Sequence, residues 1–383
     1  MAISKPATDV PFAEQFEKFA AGEENALLRR IRENAFEAFA RDGFPTPRNE
    51  EWKYTNVAPF VDHDWSVSGR YGGQLQEREV EPLKEFDTKR SGFASLNAAF
   101  GEYEVMRITR TAKLDEEIEW HLEAVDGEAH FPHTVIVVEA GIDATIVETF
   151  SSAGKSFTNS VTRIIVEENA SLIHYRVQKE SSDAVHIGLT EVVVNANSRY
   201  NGTNINIGAA LSRHDIDLKF LAEGGEAWVD GLYMLNGSQH SDTHSVIDHT
   251  VPNCTSHQNY KGVLNDKSRG VFNGKVFVRE NAHGTDAQQS NKNLLLSDHA
   301  RVDTKPQLEI FNDDVKCSHG ATVGQLEEEE LFYLLTRGLP ETLARNLLTY
   351  GFAEEIISKI AIESIKSELD QAVLNRLSVS IDH

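Results

Sequence analysis

The heptapeptides VEAGIDA (138–144), VEENASL (166–172), VVNANSR (193–199) and LAEGGEA (221–227) decide the fold of this chain. Each sets a glycine or asparagine between strand-like runs, and Gly141, Asn169, Asn197 and Gly225 lie 28 residues apart. Asn253 and Asn281 continue the same step. Glycine and asparagine tolerate a left-handed backbone, so the recurrence predicts one corner repeated at constant chain length. Corners of fixed spacing between strands are the mark of a solenoid, here a parallel β-helix.

Outward from these corners the pattern holds over about residues 90–325. Short β-branched runs recur there, such as Thr134–Val138, Thr145–Thr149, Arg163–Val166 and Glu191–Val194. Many short strands also suit a sandwich or barrel, but those folds do not require a fixed corner step. On the N-terminal side, Phe12, Phe16 and Phe19, then Leu27, Leu28, Ile31, Ala35, Phe36 and Phe39, fall at helical spacing. Gly43, Pro45 and Pro47 stop that pattern. A stretch containing Gly69, Gly72 and Gly73 reads as loop or linker.

On the C-terminal side, Glu327–Arg337 reads as a short helix closed by Gly338, and Pro340 opens a second. Leu343, Leu347 and Leu348 share a face of that second helix. Ile356, Ile357, Ile360, Ile365, Leu369 and Val373 are expected to line a longer last one. Such a unit caps the solenoid or docks a partner. The fold class is therefore mainly β, a right-handed parallel β-helix core (91–325). An N-terminal helical region and linker (1–90) and a C-terminal helical domain (326–383) flank it.

The 383 residues are 40% hydrophobic and 25% charged, as in an ordinary globular protein. Lysine and arginine number 37 against 60 acidic residues, a net charge of −23. That charge repels phosphate backbones and anionic headgroups, which excludes nucleic acid and membrane partners. The N-terminal MAISKPATDVPFAEQF has no basic-then-apolar signal pattern, and two cysteines make no disulfide framework. A reducing compartment, the cytoplasm, is the expected location.

Candidate chemistry is sparse. Gly154-Lys155-Ser156 follows a strand-like run as a phosphate loop would, but position 149 is Thr149 where a Walker A loop needs glycine. FTNSVTRIIVEE then reads as another strand, not the helix whose amides would hold phosphate. His240, His244, His249 and His257 crowd with Cys254 into one stretch. Imidazole and thiolate suit iron or zinc, yet alternation along strands prevents several of them from converging. Polar residues lining the solenoid are the simpler reading. In NDDVKCSHGATVGQ, Cys317 and His319 are two apart and face one side if the run is extended. Two ligands cannot hold a metal or cluster alone, so the rest must come from elsewhere or from another subunit. A small buried cysteine beside a surface histidine is the alternative.

Three stretches carry a resemblance: RNEEWKYTN (Arg48–Asn56), the run Asp230–Val278 beginning DGLYMLNG, and NDDVKCSHGATVGQLEEEELFYLLTRGL (Asn312–Leu339). In this order they resemble the SufB/SufD family of the SUF iron–sulfur cluster assembly system. The SufB branch is longer and usually carries glutamate after the CxH. Gly320 after His319, the shorter chain and the few cysteines resemble the SufD branch instead. The resemblance implies a non-catalytic scaffold subunit that pairs with SufB through the β-helices. It also implies docking of the C-terminal helical domain on the SufC ATPase, and a homodimer is an option in isolation. His319, with Cys317 beside it, matches a shared iron or cluster ligand position at the SufB interface. No cofactor is expected to be held stably by this chain alone; iron or a cluster is transient, and a reduced flavin belongs to the assembled complex. Two other readings remain: a partner that stabilises the complex without ligating iron, and an enzyme on a β-helix such as a polysaccharide lyase.

Overall fold

The computed structural model describes residues 10–23, 25–61, 63–68, 83, 86–111 and 117–379. Gly69, Gly72 and Gly73 and the first nine residues lie outside them. Helices α1 (Ala13–Ala21) and α2 (Ala26–Asp42) form where the apolar spacing predicts. The Asn25 side chain accepts from the amides of Leu27 and Leu28, capping α2, and Gly43 (φ 64°) ends it. Phe16, Phe19, Ala35, Phe36 and Phe39 enter one apolar cluster with Phe100 and Phe131. A 3-10 turn (Glu50–Trp52) and the short α3 (Ala58–Val61) follow. The segment expected to be all β-helix opens instead with α4 (Gly92–Phe100), whose nine residues are all buried. A helix buried all round has no amphipathic stripe, which is why periodicity does not reveal it.

From there the chain winds into a β-solenoid of two parallel sheets. The first contains β1 (Ser66–Val67), β2 (Glu102–Ile108), β4 (Glu128–His130), β5 (Pro132–Val138), β7 (Phe157–Val166) and β9 (Val185–Val194). It continues through β11 (Leu211–Phe220), β13 (His240–His249), β15 (Arg269–Val278) and β17 (Arg301–Ile310). The second stacks β3 (Ile118–Ala124), β6 (Asp143–Ser152), β8 (Ser171–Gln178), β10 (Arg199–Asn206), β12 (Glu226–Leu235) and β14 (Thr255–Leu264). It ends in β16 (Thr285–Leu295) and β18 (Val315–Gly324).

The corners are real, with one correction to their spacing. Left-handed φ values occur at Gly141 (71°), Asn169 (57°), Asn197 (52°), Gly224 (75°), Asn253 (59°) and Gly284 (69°). Gly225 and Asn281 are therefore not the corner residues. Later rungs shorten by one residue and then lengthen, so a strict step of 28 drifts off the turn. Corner amides bond to the next rung: Gly141 N donates to Glu168 O, Asn169 N to Ala196 O and Asn197 N to Glu223 O, at 2.9–3.0 Å.

Three helices close the described chain: α5 (Glu328–Thr336), α6 (Glu341–Ile357) and α7 (Glu363–Val379). Gly338 (φ 84°) separates the first two. The single long last helix read from the isoleucines is in fact two. Ile356 and Ile357 end α6, Ile360 lies in the turn, and Ile365, Leu369 and Val373 belong to α7. Their apolar side chains pack against Val177, Ile205, Leu232 and Val263 on the outer face of the second sheet. By contrast, α5 buries nothing, and Leu343 and Leu347 are half exposed. Among the described residues no helix is long and apolar enough to cross a membrane.

Candidate functional site

Strands β17 and β18 are the last of their sheets, so one end of the solenoid presents two ten-residue edges with no strand against them among the described residues. Open edges of this length are pairing templates. Exposed Ile310, Phe311 and Val323 stand beside them. Register fixes what β18 offers: Cys317 lies on Ala287 and His319 on Gln289. Ala287 and Gln289 are buried inward-facing residues, so thiol and imidazole share the lumen side of the terminal rung. The expected side-by-side placement is thus what the strand provides. Cys317 is half-buried against the apolar lumen cluster, and His319 is exposed. Burial pushes the Cys317 thiol up, partly opposed by a hydrogen bond from the Ala287 backbone. It must therefore lose a proton to become a metal ligand. Behind His319, Gln289 donates to Gln258 Oε1 at 2.6 Å, linking the open rung to the amide-lined interior.

The histidine-rich stretch disperses over three faces. His240 and His244 lie on the outer face of the first sheet. There His240 Nε2 is 2.8 Å from Thr55 Oγ1, and His244 Nε2 is 3.0 Å from Asp242. Burial disfavours charge on His244, but Asp242 and Glu51 outweigh it and lift its pKa to about 9. His249 instead sits in the interior, 2.8 Å from Ser256 Oγ, and burial lowers its pKa to about 4. Cys254 is fully buried near the Asn253 corner. His257 stacks on Trp228 (5.6 Å, 16°) on the outer face of the second sheet. There a groove of about 460 Å³ is lined by Trp228, Asp230, His257 and Lys359 and extends to Ser318, His319 and Gly320 of β18. Register aligns His257 with Gln288 and then Ser318, so it points away from the side that carries His319. Among the described residues, no three His, Cys, Asp or Glu side chains are grouped so as to hold a metal ion. Cys317 and His319 are two donors, fewer than a metal site needs, and the described residues group no third beside them.

Gly154-Lys155-Ser156 lies in the turn between β6 and β7. The Lys155 amide donates to Asp126 Oδ1 at 2.7 Å, and the next element is a strand. The strand β7 stands where a phosphate loop would open a helix, so the phosphate-cradling geometry is missing there.

One buried cluster escaped the sequence reading. In the lumen, Glu148 accepts a hydrogen bond from Thr162 and lies 3.7 Å from Arg176 Nε and 3.5 Å from His174. Glu180 accepts from Thr158 (2.6 Å) and Gln178 (2.8 Å), with His186 Nδ1 at 2.7 Å. Burial opposes charge on both carboxyls, but these partners hold them below the usual carboxylate range. Burial depresses His186, leaving it neutral: it donates from Nδ1 to Glu180 while Nε2 accepts from Arg176 at 2.5 Å. All eight side chains are buried, so the network is internal scaffolding rather than an open site.

Comparison with known proteins places these features. The SUF system FeS cluster assembly SufBD core domain matches residues 121–352, and the SufBD protein N-terminal region matches residues 11–86. The chain is 30% identical to the iron–sulfur cluster assembly protein SufD of Escherichia coli over 385 residues, covering 88% of this chain and 90% of that one. It is 40% identical over 252 residues to an iron–sulfur cluster assembly SufBD family protein of Synechocystis, covering 63% of this chain and 56% of that one. SufD of Plasmodium falciparum is 30% identical over 250 residues, 63% of this chain and 17% of the relative. With the solenoid, the flanking helices and Gly320 after His319, these likenesses make the chain a member of the SufB/SufD family of iron–sulfur cluster assembly proteins, of the SufD type.

Proposed function

We propose that this chain is a non-catalytic scaffold subunit of a cytoplasmic complex with SufB and the SufC ATPase, in which SufB meets the open end of the solenoid. One observation carries the reading: Cys317 and His319 stand together on the lumen side of an edge strand that pairs with β16 on one side and with no described strand on the other. Two donors are too few to hold iron, and an unpaired edge is where a second chain brings more. Iron or a nascent cluster is cargo at that seam, held by His319 and, once deprotonated, Cys317, together with donors from SufB. A reduced flavin belongs to the assembled complex. The exposed faces of α5 and α6, with Phe332, Tyr333, Leu343 and Leu347 uncovered, serve as the SufC docking surface.

Co-expression with SufB and SufC tests this. The chain is expected to co-purify with both. Phe311→Lys with Val323→Lys, which charges the open end, is expected to release SufB. Phe332→Asp with Leu343→Asp is expected to release SufC and leave SufB bound. Failure of the unmodified chain to associate with either protein overturns the reading.

A further inference from the structure

The stretch RNEEWKYTN crosses the outer face of the first sheet, and its side chains reach four successive rungs. On β11, Arg213 Nη1 donates to the Glu51 carbonyl at 2.7 Å, and its guanidinium lies 3.8 Å from the Trp52 ring centroid. On β13, the fully buried Thr55 donates to Asp242 Oδ2 at 2.6 Å, and Glu51 lies 3.4 Å from His244. On β15, Lys275 Nζ donates to Glu51 Oε1 at 2.7 Å, and Tyr54 lies 5.8 Å from the Arg269 guanidinium. That same Arg269 forks onto Asp303 of β17, and Glu50 is 3.6 Å from Lys305 of β17. Trp52 stacks on Phe93 of α4 (5.3 Å), which anchors the segment to the N-terminal cluster.

Glu51 is the hub. Its carbonyl holds β11, while its carboxylate holds β13 and β15. A solenoid rung is stabilised only by its neighbours, so the last rung lacks half the contacts of an inner one. The contacts of Arg48–Asn56 lie on the rungs that approach that weak end, whereas the N-terminal helices and α4 pack against earlier strands such as β7 and β9. We infer that the segment Arg48–Asn56 is a clamp that holds β11, β13, β15 and the edge strand β17 in register. The open end is thereby pre-ordered before a partner arrives, a consequence that rests on the reading of that end as a docking surface. The residues of the clamp are positioning residues and touch no cargo.

Hydrogen–deuterium exchange on the isolated full-length chain tests the clamp. Glu51→Gln is expected to speed exchange over residues 269–278 and 301–310 by about fivefold or more. Exchange over residues 157–166 should stay unchanged, because local opening follows the loss of local contacts. Lys275→Met provides a second variant that leaves the Trp52 anchor intact and should act in the same direction. Glu51→Asp, which keeps the charge, should restore part of the protection. Unchanged exchange at β15 and β17 in both variants overturns the clamp, and so does an equal rise in every strand. Because the readout is on the chain alone, it stands apart from whether SufB docks at that end.

Discussion

Arg176→Met should be among the costliest single changes in the lumen. Arg176 is 3% exposed, lies 3.7 Å from Glu148 and donates to His186, and its guanidinium sits 4.7 Å from the Phe150 ring centroid. Methionine keeps much of the volume but strips the positive charge from between Glu148 and Glu180. Removing one partner of a buried ion pair typically costs about 3–5 kcal/mol, because the other charge stays buried and uncompensated. Glu148 retains only Thr162 and His174, so the upper part of that range is expected. Glu148→Gln in the Arg176→Met background removes the stranded charge and should recover about 2 kcal/mol or more. The assay is urea denaturation of the isolated chain, with slopes compared to confirm that the unfolding unit is unchanged. A single-variant cost at or below about 1 kcal/mol, or a double variant no more stable than the single, refutes this account of the lumen.

Three further outcomes follow from other parts of the molecule. Asn197→Ala puts an ordinary side chain at φ 52° and should cost about 1 kcal/mol, whereas Asn197→Gly should be nearly neutral; denaturation midpoints separate them. The pH profile should fall on both flanks. Glu148 and Glu180 are held below their unfolded value, so their contribution is present above about pH 4.3 and lost as pH falls through the depressed values. His244, raised to about 9, contributes fully below about pH 6.5 and loses on the order of 3 kcal/mol as pH rises from there through about 9. His244→Gln should flatten the alkaline flank alone, read as stability at neutral pH against pH 10. Gly231→Ala drives a methyl group into the Tyr260 ring and should cost about 1–3 kcal/mol by thermal or chemical melting.

The solenoid is legible in the sequence because its corners demand a backbone that few residues adopt. Asn169 and Asn197 announce themselves, whereas Gly225 and Asn281 mislead because rung length varies and the true corners are Gly224 and Gly284. The pairing of Cys317 with His319 follows from strand alternation alone. Its position at an open end does not, because which rung comes last depends on where pairing stops. Alternation also foresees that His240, His244, His249 and His257 diverge. It does not show that two of them receive a segment from nearly two hundred residues upstream, since no local pattern encodes so distant a contact. The lumen charges were missed for a related reason. Glu148 and Arg176 alternate with apolar residues just as outward-facing polar residues do, and only register shows that they meet inside.

His319→Ala within the assembled complex tests the central claim most directly. The variant chain should still co-purify with SufB and SufC, because His319 is exposed and contributes little to packing. Iron content and the visible absorption of the reconstituted cluster should fall several-fold. Cluster formation at the unmodified level in that variant contradicts the shared-ligand account and leaves this chain as a purely structural partner.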